Sequence, residues 1–188
     1  DLSSESDVRG IGGLELKLNE ASSEQWNSFM YQVGQSNLLQ SWAYGEAKSK
    51  IEGWKVRRIV IWQFNKPVAF AQILEKKFAF LRLVRINRGP LLLEDSRPDL
   101  QESVIQLLVQ ELGGWKKGRL LFFTPELQLN GKILALMTNL GLYQPTCRSW
   151  ESIWFNLAED RGELRNKLNG KWRNMLSFAE RQKLRFET

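Results

Sequence analysis

At 188 residues, with 43% hydrophobic side chains, eight Trp and ten Phe, the chain can form one domain with a substantial core, or one domain and part of another. Histidine is absent, which removes the usual general base and the commonest metal ligand; the lone cysteine, Cys147, excludes an internal disulfide and a Cys-rich zinc site and reads as an ordinary small side chain. The net charge of +6 lies mostly at one end, since residues 161–188 hold eight Lys or Arg against three Glu, a balance that suits phosphate-bearing ligands or nucleic acid and equally a solvated helix face.

No apolar run reaches the ~18 residues that cross a bilayer, and the polar start is not a signal peptide, so a cytoplasmic protein is expected. A first residue of Asp rather than Met points to a chain processed or cut from a longer one. Residues 1–13 read as a flexible leader. Leu14, Leu16 and Leu18 alternate as a short strand, and Ser22 or Ser23 then caps a helix buried through Trp26, Phe29 and Met30.

The stretch Leu38 to Lys48, followed by Gly53-Trp54, predicts a helix from Trp42 to Ile51 with Ser41 as N-cap and Gly53 as its stop. Ala43, Ala47 and Ile51 recur at helical spacing and are expected to face a core; Ser41, Tyr44, Gly45 and Lys48 form a second, small and polar patch. Glycine costs about 1 kcal/mol against alanine inside a helix, so Gly45 implies close approach of a backbone or a ligand.

Trp54 to Phe64 alternate as a long strand, Asn65-Lys66 ahead of Pro67 reads as a tight turn, and Val68 to Glu75 returns antiparallel. Phe78 to Arg88 makes a third strand, ended or bent by Gly89-Pro90. The capping-box spacing at Ser96–Asp99 opens a helix to Leu112 with Val104, Leu107, Leu108 and Leu112 as its stripe. Leu120 to Thr124 reads as a buried central strand. Asn130 caps a helix that Gly141 stops, and Ser152 to Leu157 reads as a further strand. Two helices, Glu163 to Leu168 and Lys171 to Leu184, break near Asn169-Gly170; Trp172, Met175, Leu176 and Ala179 are expected to face inward. This order predicts an α/β (α+β) fold, a mixed sheet with helices on both faces.

Four motifs carry a resemblance. Leu38 to Lys48 with Gly53-Trp54, then Asn87-Arg88-Gly89-Pro90, then Leu140-Gly141-Leu142-Tyr143, then Lys171-Trp172-Arg173-Asn174 with Ala179-Glu180-Arg181 resemble, in order, the Fem-type peptidoglycan bridge aminoacyltransferases. These lie within the fold superfamily of the GCN-five-related N-acetyltransferases. The resemblance implies an acyl-CoA N-acyltransferase-like, mostly antiparallel sheet. It also implies two lobes in tandem, of which 14–145 would be the first and 146–188 the start of a truncated second, with the chemistry assigned mainly to the second. The implied activity moves an amino acid from an aminoacyl-tRNA donor to a nucleotide- or lipid-linked peptidoglycan precursor, with no cofactor.

Carried over by position, Lys48 matches a lysine at the family's precursor site. Gln40, Ser41 and Tyr44 lie close enough in the chain to line the same wall. Arg88 ends a strand where acyltransferase sheets splay to admit substrate, and Arg173 offers the two-pronged fork that phosphate and carboxylate favour. For both arginines a surface ion pair is the plainer reading. Glu151 and Glu163 read as solvated carboxylates, and no catalytic residue or metal ligand is assigned. The acyl-CoA enzymes hold pyrophosphate on a glycine-rich turn at a helix N-terminus; here that junction, Glu94 to Asp99, is acidic and lacks glycine. An acyl-CoA-dependent transferase acting on a sugar or small amine is therefore the alternative, and a basic nucleic-acid module the second alternative.

Overall fold

The computed structural model describes residues 9–11, 13–93, 98–114, 118–126, 130–145, 156 and 158–182. The chain divides into two compact units, 1–144 and 145–188. The expected strand at Ser152 to Leu157, apart from Asn156, lies outside the described residues, as do Ser96 of the expected capping box, Cys147 and Glu151.

The first unit is built on one mixed sheet. Its strands are β1 (Arg9–Ile11), β2 (Leu14–Leu18), β3 (Lys55–Gln63), β4 (Lys66–Phe78), β5 (Leu81–Asn87), the short β6 (Leu91–Leu92) and β7 (Arg119–Thr124). They run in the order β1-β2-β3-β4-β5-β7, with β6 pairing β4; every pairing is antiparallel except β5 with β7. Within the expected leader, Arg9 to Ile11 pair with Leu14 to Leu16.

Strand alternation sends side chains to two separate cores. Ile59, Ile61, Ala71, Ile73, Val84 and Ile86 pack against helix α3 (Pro98–Leu112), whose Val104, Leu107 and Leu108 are fully buried. On the other face Val60 and Phe70 meet Trp26 of helix α1 (Ser23–Gln32), an edge-on ring contact at 4.9 Å, with Trp42 of helix α2 (Trp42–Glu52) beside them. Helix α4 (Gly131–Asn139) packs behind α3 through Ile105, Val109 and Ile133. The expected layering, helices on both faces of a mostly antiparallel sheet, is what forms.

Local signals account for the helix ends. Ser22 and Gln25 make a reciprocal capping box, Ser41 accepts from Tyr44 N, Asn130 from Ile133 N, and Gly53 takes the left-handed conformation at φ +68°. The β3–β4 turn falls one residue earlier than expected. Phe64 and Asn65 occupy it, both at positive φ, and Gln63 pairs with Lys66, the two-residue geometry whose twist suits antiparallel strands.

Two burial expectations are corrected. Among the described residues strand β7 is the last of the sheet rather than a central one: its residues alternate between half-buried and exposed, with Leu120 and Phe122 in the open. In α2 the faces are exchanged. Ala43, Ala47 and Ile51 point outward, and buried Gly45 faces the sheet. The reason is what the sheet presents there, Arg58 and Gln72 side by side, which a polar, close-packed helix face can cover and an alanine stripe cannot satisfy.

The second unit contains α5 (Arg161–Lys167) and α6 (Gly170–Arg181), the latter capped by Asn169. Trp172, Met175, Leu176 and Phe178 are exposed, so the expected inward face of α6 is not buried among the described residues.

Candidate functional site

The first two motifs meet around Gln40, which is fully buried. Beyond the Ile73–Ile86 pair, β5 leaves β4 and turns through Asn87-Arg88-Gly89-Pro90 before β6 rejoins at Phe70–Leu91. The Gln40 carboxamide fills the gap as a third strand would. Its Nε2 donates to Asn87 O (2.7 Å) and Gln72 O (3.4 Å), and its Oε1 accepts from Gln72 N (2.6 Å). Trp26 Nε1 donates to the Gln40 carbonyl at 2.8 Å, and Gly89 passes so close that a Cβ there would lie 2.7 Å from Nε2. Gln40 therefore shapes the wall from behind, its polar atoms spent on backbone.

Arg88 sits on the rim of this turn at φ +51°. Its N–H donates to Thr124 O (2.7 Å), its carbonyl accepts from Asn37 Nδ2 (2.9 Å), and its guanidinium pairs with Glu126, which Asn37 also reaches at 3.2 Å. The splay expected at Arg88 is absent between β5 and β7, because their parallel pairing runs from Arg82–Arg119 through Asn87–Thr124 and is extended by the Arg88 bond. The opening lies between β4 and β5 instead, and Gln40 occupies it.

Helix α2 leads away from this corner. Ser41 spends its hydroxyl on the cap, accepting from Tyr44 N and donating to Leu38 O (2.8 Å). Gly45 is pressed on the sheet; a Cβ would lie 2.2 Å from Gln72 Oε1 and 2.9 Å from Arg58 Nη2. The Arg58 guanidinium stacks on the Trp42 ring at 3.4 Å and bonds Glu46 (3.0 Å), while burial lowers its pKa.

Lys48 lies two turns on, about 10 Å further along the helix axis. Its ammonium pairs with Glu52 and stands 5.5 Å from the Tyr44 ring centre. Beside it Trp54 Nε1 donates to Glu52 (3.1 Å), and Lys76 donates to Glu52 O (2.9 Å) over the Trp54 ring. The hydrogen bond to Glu52 raises the Lys48 pKa and the same bond lowers that of Glu52, so both stay charged across the neutral range.

The structure thus joins Gln40, Ser41, Tyr44 and Lys48 along one helix and its entrance, and ties Arg88 to Gln40 through Asn87. No direct contact links Lys48 and Arg88. Arg173 belongs to α6 of the second unit, where it is exposed. In that unit Arg165 is held by Glu180 (2.8 Å) and Lys167 by Glu159, which offsets part of the basic excess; Glu163 is exposed in the first turn of α5. Sequence reasoning missed Asn37, Gln72 and Glu126, and had Trp54 only as part of the first motif. Gln72 carried a signal, a carboxamide inside the apolar run Val68 to Leu74; Glu126, 38 residues from Arg88, carried none. Among the described residues no group of three or more Cys, Asp or Glu is placed to hold a metal ion.

No protein-family model matches the chain, and no curated protein matches it in sequence. Among solved structures it is similar to FemX, with a TM-score of 0.50 and 22% identity over 66% of this chain and 31% of that one. It is also similar to a possible acetyltransferase from Clostridium difficile 630 (TM-score 0.42, 12% identity, 75% of this chain and 99% of that one). A ribosomal-protein-alanine N-acetyltransferase from Brucella melitensis biovar Abortus 2308 is comparable (TM-score 0.43, 12% identity, 76% and 99%). The match therefore spans about a third of FemX, and over that region the two share a fold.

Proposed function

We propose that this chain is the precursor-binding lobe of a Fem-like aminoacyltransferase, holding a nucleotide- or lipid-linked peptidoglycan precursor while an aminoacyl-tRNA supplies the amino acid. The observation that carries this reading is the interlocking of the first two motifs. Gln40 of one bonds Asn87 of the other and packs on Gly89, so the shared residues build one structure, with Arg88 and the α2 face on its surface. The lobe's own contribution is orientation, fixing an acceptor amine against the donor ester carbonyl. Lys48, kept charged by Glu52, and Arg88, paired with Glu126, are the cations that this reading assigns to anionic groups of the precursor, which would share them with those carboxylates. A cytoplasmic setting goes with this chemistry; no described helix is long and apolar enough to cross a membrane.

The runner-up is an acyl-CoA-dependent N-acyltransferase. The continuous β5–β7 pairing and the acidic junction at Glu94 favour the first reading over it. Calorimetry with a nucleotide-linked muropeptide and with acetyl-CoA separates them. The muropeptide should bind, and Lys48→Ala and Arg88→Ala should each weaken it about tenfold, the loss typical of one charged hydrogen bond. Affinity unchanged in both variants would sink the site assignment, and binding of acetyl-CoA alone would transfer the protein to the runner-up.

A further inference from the structure

The β4–β5 hairpin ends in Phe78-Ala79-Phe80, remote from Gln40 and Arg88. Phe80 is 90% exposed and Phe78 54%, and on the same sheet face as Phe78 the β7 residues Leu120 and Phe122 are also open to solvent. Cations surround this tip. From Lys76 to Arg85 the chain carries four cations and no carboxylate; Lys77 and Arg82 flank the turn, while Lys76 is bonded to Glu52 O and Arg85 to Asn87. Lys77 pairs in register with Arg82 on the sheet face opposite Phe78; next along that row, Arg119 is held by Glu111 O at 2.9 Å. The carboxylate of Glu75 is buried, 3.2 Å from Arg57 and 3.9 Å from Arg82. Lys77 directly opposite Arg82 is a like-charge pair that Glu75 relieves only from the Arg82 side, and bare aromatic rings at a hairpin tip contribute little to folding.

Both features fit one occupant. A bilayer surface rich in anionic lipid accepts aromatic rings at headgroup depth and attracts Lys and Arg around them. We infer that the Phe78–Phe80 hairpin tip docks this protein onto an anionic membrane surface, Phe80 entering the interface and Lys77 and Arg82 meeting headgroup phosphates. A nucleic acid would meet the same charge, but stacked bases need paired rings on a platform, whereas these rings stand at a protruding turn.

The other hairpin supplies the control. Phe64 is 85% exposed at the β3–β4 tip, at the opposite end of the sheet, where Lys66 is the nearest cation in sequence. The full chain should co-sediment with phosphatidylglycerol-containing vesicles and not with phosphatidylcholine alone, and the association should fall as salt rises. Phe80→Ser and Lys77→Glu should each weaken vesicle binding about tenfold while Phe64→Ser leaves it unchanged, with circular dichroism alike in all three. Equal losses from Phe64→Ser and Phe80→Ser would overturn the inference, as would binding insensitive to lipid charge or retention on RNA with none on vesicles. Muropeptide affinity of Phe80→Ser, expected to be that of the unaltered chain, keeps this test separate from that of Lys48.

Discussion

Gln40 shows how one side chain can substitute for a strand. Replacing it by leucine strands Gln72 N–H and Asn87 C=O in a dry interior, and each buried unsatisfied group costs about 1–3 kcal/mol. Gln40→Leu should therefore lower stability by about 3 kcal/mol or more, read from the urea midpoint. Gly45 is a contest between two effects. Alanine gains about 1 kcal/mol of helix propensity. The new Cβ, however, lands on a Gln72 carboxamide that is itself held to Leu39 O and Ser41 O and cannot swing away. Overpacking of this kind costs about 1–3 kcal/mol, so Gly45→Ala should destabilise despite the better helix former. The sequence flagged Gly45 as a point of close approach; that the approaching group is Gln72, 27 residues on, was invisible to it.

The Lys48–Glu52 pair sets a pH dependence. Glu52 sits below its ordinary 4.5, so its share of stability is present above that value and lost as pH falls through the folded pKa. Lys48 sits above 10.5, so its share is present below that value and lost as pH rises through the folded pKa. The difference in urea midpoint between the unaltered chain and Glu52→Gln should be constant near neutrality and vanish in acid.

At the level of elements, the hairpins carry testable strain. Ala79 is held at φ +48° in the β4–β5 turn, a conformation that costs an L-residue about 1–2 kcal/mol and glycine almost nothing. Glycine's freer unfolded chain takes back about 0.5–1 kcal/mol. Ala79→Gly should thus be slightly stabilising, by about 0.5 kcal/mol, seen as a raised thermal midpoint. Helix limits were legible where a cap resides in neighbouring residues, as at Ser22, Ser41, Gly53, Asn130 and Asn169. Helix faces were less so. The apolar spacing of Ala43, Ala47 and Ile51 predicted the wrong side of α2 because two of the three are alanines, which gain little from burial, while the Trp42–Arg58 stack and the close Gly45–Gln72 approach hold the other face to the sheet.

For the whole molecule, the sheet with its two cores belongs to the first unit, and α3 and α4 both pack within it. A chain ended after Gln144 should keep a cooperative urea transition with a midpoint close to that of the full chain; a broad or lost transition would show that the second unit supports the core. What the sequence determined by itself was the order from β2 to α4, most of those elements' ends and the mixed, two-faced sheet, because alternation, helical period and caps act over a few residues. Tertiary structure alone decided that β7 is the last of the described strands, that Gln40 completes the β4–β5 gap, and that Glu126 meets Arg88. Those outcomes depend on which distant strand supplies a free hydrogen-bonding edge and which charge lies across it, and no local pattern encodes either.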